Sequence, residues 1–195
     1  MSTTTQQGAP GGSPDPPIVL SDTGPLISIF QSGSLELVAG LFGAIHTSEG
    51  CITELIEHGW GEVLVQAGAQ IPNHRLTRDE LLQAAEIAQR IATLPEAGDS
   101  EPDTHLGEAE VIVLSQRPQF AGSVLLLDER AARTAASGLT ANVAGFAAVL
   151  LLAAERGLLT PDDVRRRLER CREEGTPYSI AFTERVYERA RGGTA

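Results

Sequence analysis

IVLSDTGPLISI (residues 18–29) carries a single charge, Asp22, where an apolar run stops and a Thr-Gly-Pro turn begins. The same arrangement returns in SVLLLDERAAR (residues 123–133), where an uncharged run ends at Asp128. Runs this short and this uniformly apolar suit the buried middle of a parallel sheet rather than a solvated edge. Two such strands, 18–20 and 123–127, would deliver Asp22 and Asp128 to one edge. In α/β sheets that edge, beyond the carboxyl ends of the strands, is where ligands bind.

Helical patterns fill the intervals. Residues 26–38 are apolar with a break at Gly33. Ser48 offers an N-cap for a helix to His58, stopped by Gly59. Residues 77–91 open with the capping box T-R-D-E and place Leu81, Leu82, Ala85, Ala88 and Ile91 on one face. Further helices are read over 106–116, 129–137 and 144–156. Thr160-Pro161-Asp162-Asp163 begins another, with a cap, a proline at the first position and first-turn acids. The loop 95–104 (PEAGDSEPDT) divides two helices. Strands alternating with helices predict an α/β/α sandwich around a central, mostly parallel sheet. Residues 1–17 have almost nothing to bury and read as a disordered leader, followed by a core over 18–157 and a helical extension over 158–195 packed on it. Residues 192–195 read as a frayed end.

With 195 residues and 42% hydrophobic content the chain suits one ordinary domain. Its longest apolar runs fall short of a membrane span, and the leader lacks the charged start and apolar centre of a signal peptide. The cytoplasm is the expected compartment, which favours free thiols at Cys51 and Cys171. The four histidines show no ligand spacing, so a structural zinc site is not expected. A net charge of −11 argues against polyanion binding over the whole surface, so a nucleic acid would have to be gripped locally. The basic residues are all arginine. With no lysine there is no P-loop, no Schiff base and no receiver-type phosphorylation site, and Asp22 lacks the second Asp, two positions on, of a phosphotransfer domain.

Two further acids complete a constellation. Glu108 lies in the first turn of the helix LGEAEVIVL, with Glu110 two residues on and therefore on a different face. Glu54 lies inside SEGCITELIEHG. Carboxylates crowded together repel one another and either take up protons or need a cation. Hard oxygen donors suit Mg²⁺ or Mn²⁺, and the chemistry that follows is metal-assisted hydrolysis of a phosphodiester. Taken singly, Asp22 and Asp128 serve equally as turn formers or helix N-caps, Glu108 as a partner of the helix dipole and Glu54 as part of a solvated face.

VLSDTGPLISI, TSEGCITELIEHG, HLGEAEVIVLS and SVLLLDERAARTAASGL, in this order and at these separations, resemble the PIN-domain family. The likeness is to the small prokaryotic branch with a GEAE helix, and it spans roughly residues 18–190. The resemblance implies a metal-dependent ribonuclease acting on structured RNA, commonly dimeric and often the toxin of a toxin–antitoxin pair. Its acidic site maps onto Asp22, Glu54, Glu108 and Asp128, with Asp22, Glu108 and Asp128 as ligands of Mg²⁺ or Mn²⁺. Glu110 and Glu129 are secondary candidates, the latter standing where the branch usually has a second Asp. Two hydroxyls of the branch are absent, replaced by Gly24 and Phe146. That leaves an alternative reading, a protein-interaction module with impaired catalysis. Arg130 and Arg133, one helical turn apart beside Asp128, are candidates for phosphate contact. The cluster Arg165, Arg166, Arg167, Arg170 and Arg172 reads instead as a solvated helix paired with Glu169, Glu173 and Glu174. Trp60 and the two tyrosines predict no aromatic platform for a single strand.

Overall fold

The computed structural model describes residues 16–139 and 142–192. Most of the leader and residues 193–195 of the frayed end therefore lie outside the described residues. Five strands form one sheet in the order β3-β2-β1-β4-β5, every neighbouring pair parallel. They are β1 (Val19–Ser21), β2 (Ile45–Ser48), β3 (Asn73–His74), β4 (Val124–Leu126) and β5 (Val143–Ala144). The chain builds outward from β1 in one direction through β3, then crosses to β4 on the other side. The topological switch point thus falls between β1 and β4.

Alternation along the two central strands feeds two cores. Val19 and Leu126 point into one, and Leu20, Leu125 and Leu127 into the other; all five are fully buried. On the first face lie α1 (Thr23–Gln31), α2 (Leu35–Phe42), α8 (Phe146–Glu155), α9 (Pro161–Glu173) and α10 (Ile180–Gly192). On the second lie α5 (Arg78–Ala92), α6 (Leu106–Leu114) and α7 (Arg130–Ala136). This is an α/β/α sandwich, and no described helix is long and apolar enough to cross a membrane. Two short helices, α3 (Glu49–Glu57) and α4 (Gly61–Ala67), follow β2.

Local chemistry sets the boundaries. Gly33 has φ +61°, which splits the helix expected over 26–38 into α1 and α2. Ser48 caps α3 by accepting from the Cys51 amide, and Thr77 and Thr160 close the capping boxes of α5 and α9. The helix expected from 144 begins at Phe146 because Val143 and Ala144 pair with β4. On α5 the buried stripe is Ala84, Ile87, Ala88, Ile91 and Ala92, while Leu81, Leu82 and Ala85 are exposed. The alanines and isoleucines of that stripe join the second core, and the outer leucines fall on the far side.

Arg117 ties the start of α5 to the turn that follows α6. Its guanidinium donates two bonds to Glu80, at 2.7 and 2.8 Å, and a third to the Arg75 carbonyl. The Arg117 hydrogen bonds hold the Glu80 carboxyl down to about 2. Arg117→Ala is expected to cost about 1 kcal/mol, since the pair is partly solvated, and urea titration would measure it.

Candidate active site

Parallel pairing fixes the first two acids. Register Ser21↔Leu126 and the bond from the Asp22 amide to the Leu126 carbonyl carry β1 and β4 out of the sheet side by side. Asp22 leaves one strand and Asp128 follows the other. They line a cavity of about 680 Å³ at the carboxyl edge, together with Glu54 from α3, Glu108 from α6, and Glu129. Glu110 does not reach it. That side chain lines a separate cavity beside Gly50 and Glu57, with a buried Oε2 that has no partner among the described residues.

Asp22 caps α1, accepting from the Thr23 amide, and it also faces the cavity. It is 5% exposed. Burial first, then repulsion by Glu108 and Glu54, raises its carboxyl well above the ordinary range. Glu108 is pushed up to about 8, chiefly by burial and further by Glu129 and Glu54. Glu54 accepts a 2.7 Å bond from the Thr23 hydroxyl, so one residue of α1 orients two acids, Asp22 by its backbone and Glu54 by its side chain. Room here is tight: a Cβ on Gly107 would stand 3.2 Å from Asp22 Oδ1 and 3.3 Å from Glu54 Oε2. The glycine lets the α6 backbone close over the acids.

Asp128 does not cap α7, as DERAAR taken alone would allow. Its Oδ1 accepts from the Phe146 amide at 2.9 Å, at the start of α8, and its Oδ2 from the Tyr178 hydroxyl at 2.8 Å. Burial raises its carboxyl, and these two bonds and Arg133 oppose the rise. A Cβ on Gly145 would stand 2.7 Å from Asp128 Oδ1, so that close approach requires glycine. The Phe146 ring is fully buried in the core, and only its backbone serves the site. Arg133 donates to the carbonyls of Leu127 and Asp128, which commits it to holding the strand end.

Glu129 and His105 fasten the loop 95–104 to the rim. Glu129 Oε1 accepts from the Gly98 amide and Oε2 lies 3.1 Å from His105 Nδ1, while His105 Nε2 lies 2.9 Å from the Asp99 carbonyl. One ligand-capable atom each of His105, Glu108 and Glu129 lies within 4.8 Å of the others. Both imidazole nitrogens are already engaged, so the donors left to face the cavity are oxygens. Crowded, buried, mutually repelling carboxylates of this kind fit a hard divalent cation. The Cys51 thiol packs behind them, pushed up to about 12 by burial, and is inert as a nucleophile.

Sequence reasoning gave no site role to His105, Thr23 or Tyr178. Tyr178 belongs to the α9–α10 linker, which forms the outer wall of the cavity with Glu174, Gly175, Thr176 and Pro177. Gln31 anchors this linker, donating to the Glu174 carbonyl and accepting from the Thr176 hydroxyl. On α9 itself, Arg165, Arg166 and Arg170 pair with Asp162, Asp163 and Glu174, and Arg167 donates to carbonyls at the end of α1. That basic cluster is a solvated, helix-pinning face, although two of its acids are the first-turn aspartates rather than those expected.

A family model described as a PIN domain matches residues 18–191. No curated protein and no solved structure gives a significant match. The matched span takes in the whole sheet, the acids at its carboxyl edge and the linker that walls them. With that match over nearly all of its described length, the chain belongs to the PIN-domain family.

Proposed function

We propose that this protein is a divalent-metal-dependent endoribonuclease. The observation that carries the reading is the burial of Asp22 and Glu108 in one cavity at the switch point, where burial raises both carboxyls, Glu108 and Glu54 repel Asp22, and Glu129 and Glu54 repel Glu108. Asp22, Glu108 and Asp128 would hold Mg²⁺ or Mn²⁺. Such an ion lowers the pKa of water and neutralises charge that builds on a phosphate. Glu54, half-exposed and oriented by Thr23, would accept the proton of the attacking water. Tyr178 and the Phe146 amide keep the Asp128 carboxylate from rotating. The resemblance to the toxin branch supports RNA as substrate and a role as a toxin neutralised by an antitoxin and working as a homodimer in the cytoplasm.

The test is incubation of structured RNA with the purified protein in Mn²⁺ or EDTA, resolved on denaturing gels. Cleavage is expected in Mn²⁺ and lost in EDTA, in Asp22→Asn and in Asp128→Asn. Undiminished cleavage in EDTA would sink the metal requirement. Complete inactivity of a folded protein that does not bind Mn²⁺ would favour the interaction-module reading, which has in its favour that both oxygens of Asp128 and of Glu129 already have hydrogen-bond partners.

Tyr178→Phe isolates one of those bonds. The ring stays in place against Phe182 while Asp128 loses a donor. Turnover at saturating Mn²⁺ is expected to fall about tenfold, with stability changed by about 1 kcal/mol. Unchanged turnover would remove Tyr178 from the site.

A further inference from the structure

A second cavity opens on the far side of Tyr178, of about 490 Å³, within the range of roughly 300–1,000 Å³ that holds a small ligand. It shares Asp128, Pro177 and Tyr178 with the acidic cavity, so a strand laid over the acids runs straight into it. The two cavities differ in charge. The first is walled by carboxylates, the second by Arg130, Arg133 and Arg185. We propose that this second cavity is a nucleotide subsite, binding the phosphate and base of the RNA residue next to the scissile bond.

The arginines differ in how free they are. Arg133 is committed to two backbone carbonyls. Arg130 and Arg185 are exposed, and among the described residues neither makes an ion pair or a hydrogen bond. In a chain of net charge −11, with the other arginine cluster largely neutralised on α9, these two are cations available to a phosphate beside the acids. Guanidinium groups grip phosphate in a fixed fork, and each such contact releases counterions.

The same cavity also has an aromatic lining. Tyr178 and Phe182, half-buried, have ring centroids 5.1 Å apart at an interplanar angle of 35°. Both are held in place: the Tyr178 hydroxyl by Asp128 and Ser28, and the Phe182 amide by the Ser179 hydroxyl that caps the start of α10. The start of α10 thus brings together two rings that give no sign of a platform in the sequence, and a base can rest on them beside the gripped phosphate.

The inference rests on the ribonuclease reading, so its test must work without catalysis. The probe is a short 5′-fluorescein-labelled RNA, titrated by anisotropy in EDTA, which withholds the ion that hydrolysis by water would need. The double variant Arg130→Ala/Arg185→Ala is expected to bind about tenfold more weakly, its log–log salt slope shallower by about 0.7 for each arginine removed. Phe182→Leu weakens binding and leaves the slope alone. Arg172→Ala, equally exposed but outside both cavities, binds as the wild type does. A double variant that binds like the wild type, as it would if an acidic protein segment were the true occupant, overturns the proposal. So does an equal loss in Arg172→Ala, which marks general electrostatics. If the binding differences hold while no RNA is ever cleaved, the subsite stands and the hydrolytic reading falls.

Discussion

Asp22→Asn is expected to melt higher than the wild type in EDTA and to lose the response to Mn²⁺. Asp22 is almost wholly buried and is repelled by Glu108 and Glu54. The amide keeps an oxygen to accept from the Thr23 backbone, so the cap of α1 survives while the charge goes. Relief of about 1–3 kcal/mol is reasonable for one charge taken from such a cluster. At this chain length each kcal/mol is worth about 2–4 °C in midpoint. Mn²⁺ should raise the wild-type midpoint with the logarithm of its concentration, as any ligand that binds only the folded form does. A variant that melts lower would mean that the cap outweighs repulsion and that the acids are not crowded in solution.

The second large effect is an inverted dependence on pH. Most proteins lose stability in acid, but Asp22, Glu108 and Asp128 all have raised proton affinities in the fold. Between the ordinary carboxylate range and about 8, the folded protein holds protons that the unfolded chain has released, so raising the pH removes stability. Each unit of displacement is about 1.4 kcal/mol. His46 and His74 act oppositely. Their rings are 2.8 Å apart at the nearest nitrogens, burial lowers both, and their contribution is lost as pH falls below 6.5. The two effects bracket an optimum in mild acid. Melts in EDTA should show the midpoint falling from pH 6.5 to above 8, and either Mn²⁺ or Asp22→Asn should flatten the fall. A midpoint that is level or rising over that interval without metal would refute the account.

What could be read in advance follows from where the information sits along the chain. The strands ending at Asp22 and Asp128 are short apolar runs, and each acid is named by the residues just before it. The strands β2, β3 and β5 were silent. IHTS has one apolar residue in four, and NH and VA are too short to show any period. The same limit applies to the site. Its carboxylates sit in local motifs, whereas Tyr178 meets Asp128 across 50 residues of chain and His105 meets Glu129 across 24. Such pairs depend on the packing of whole helices, which no window of sequence contains. The absent hydroxyl at Phe146 is a similar case. Its ring belongs to the core, and the hydroxyl at Asp128 arrives from Tyr178 instead.

The outer wall of the cavity comes from the α9–α10 linker, far along the chain, while the acids precede it. Ribosomes deliver a chain from its N-terminus, and domains acquire structure in that order. A nascent chain can therefore possess Asp22, Glu54, Glu108 and Asp128 and still lack the residue that steadies Asp128. Completion of the cavity is deferred until residues 174–178 have followed the acids, with Tyr178 coming 50 residues after Asp128.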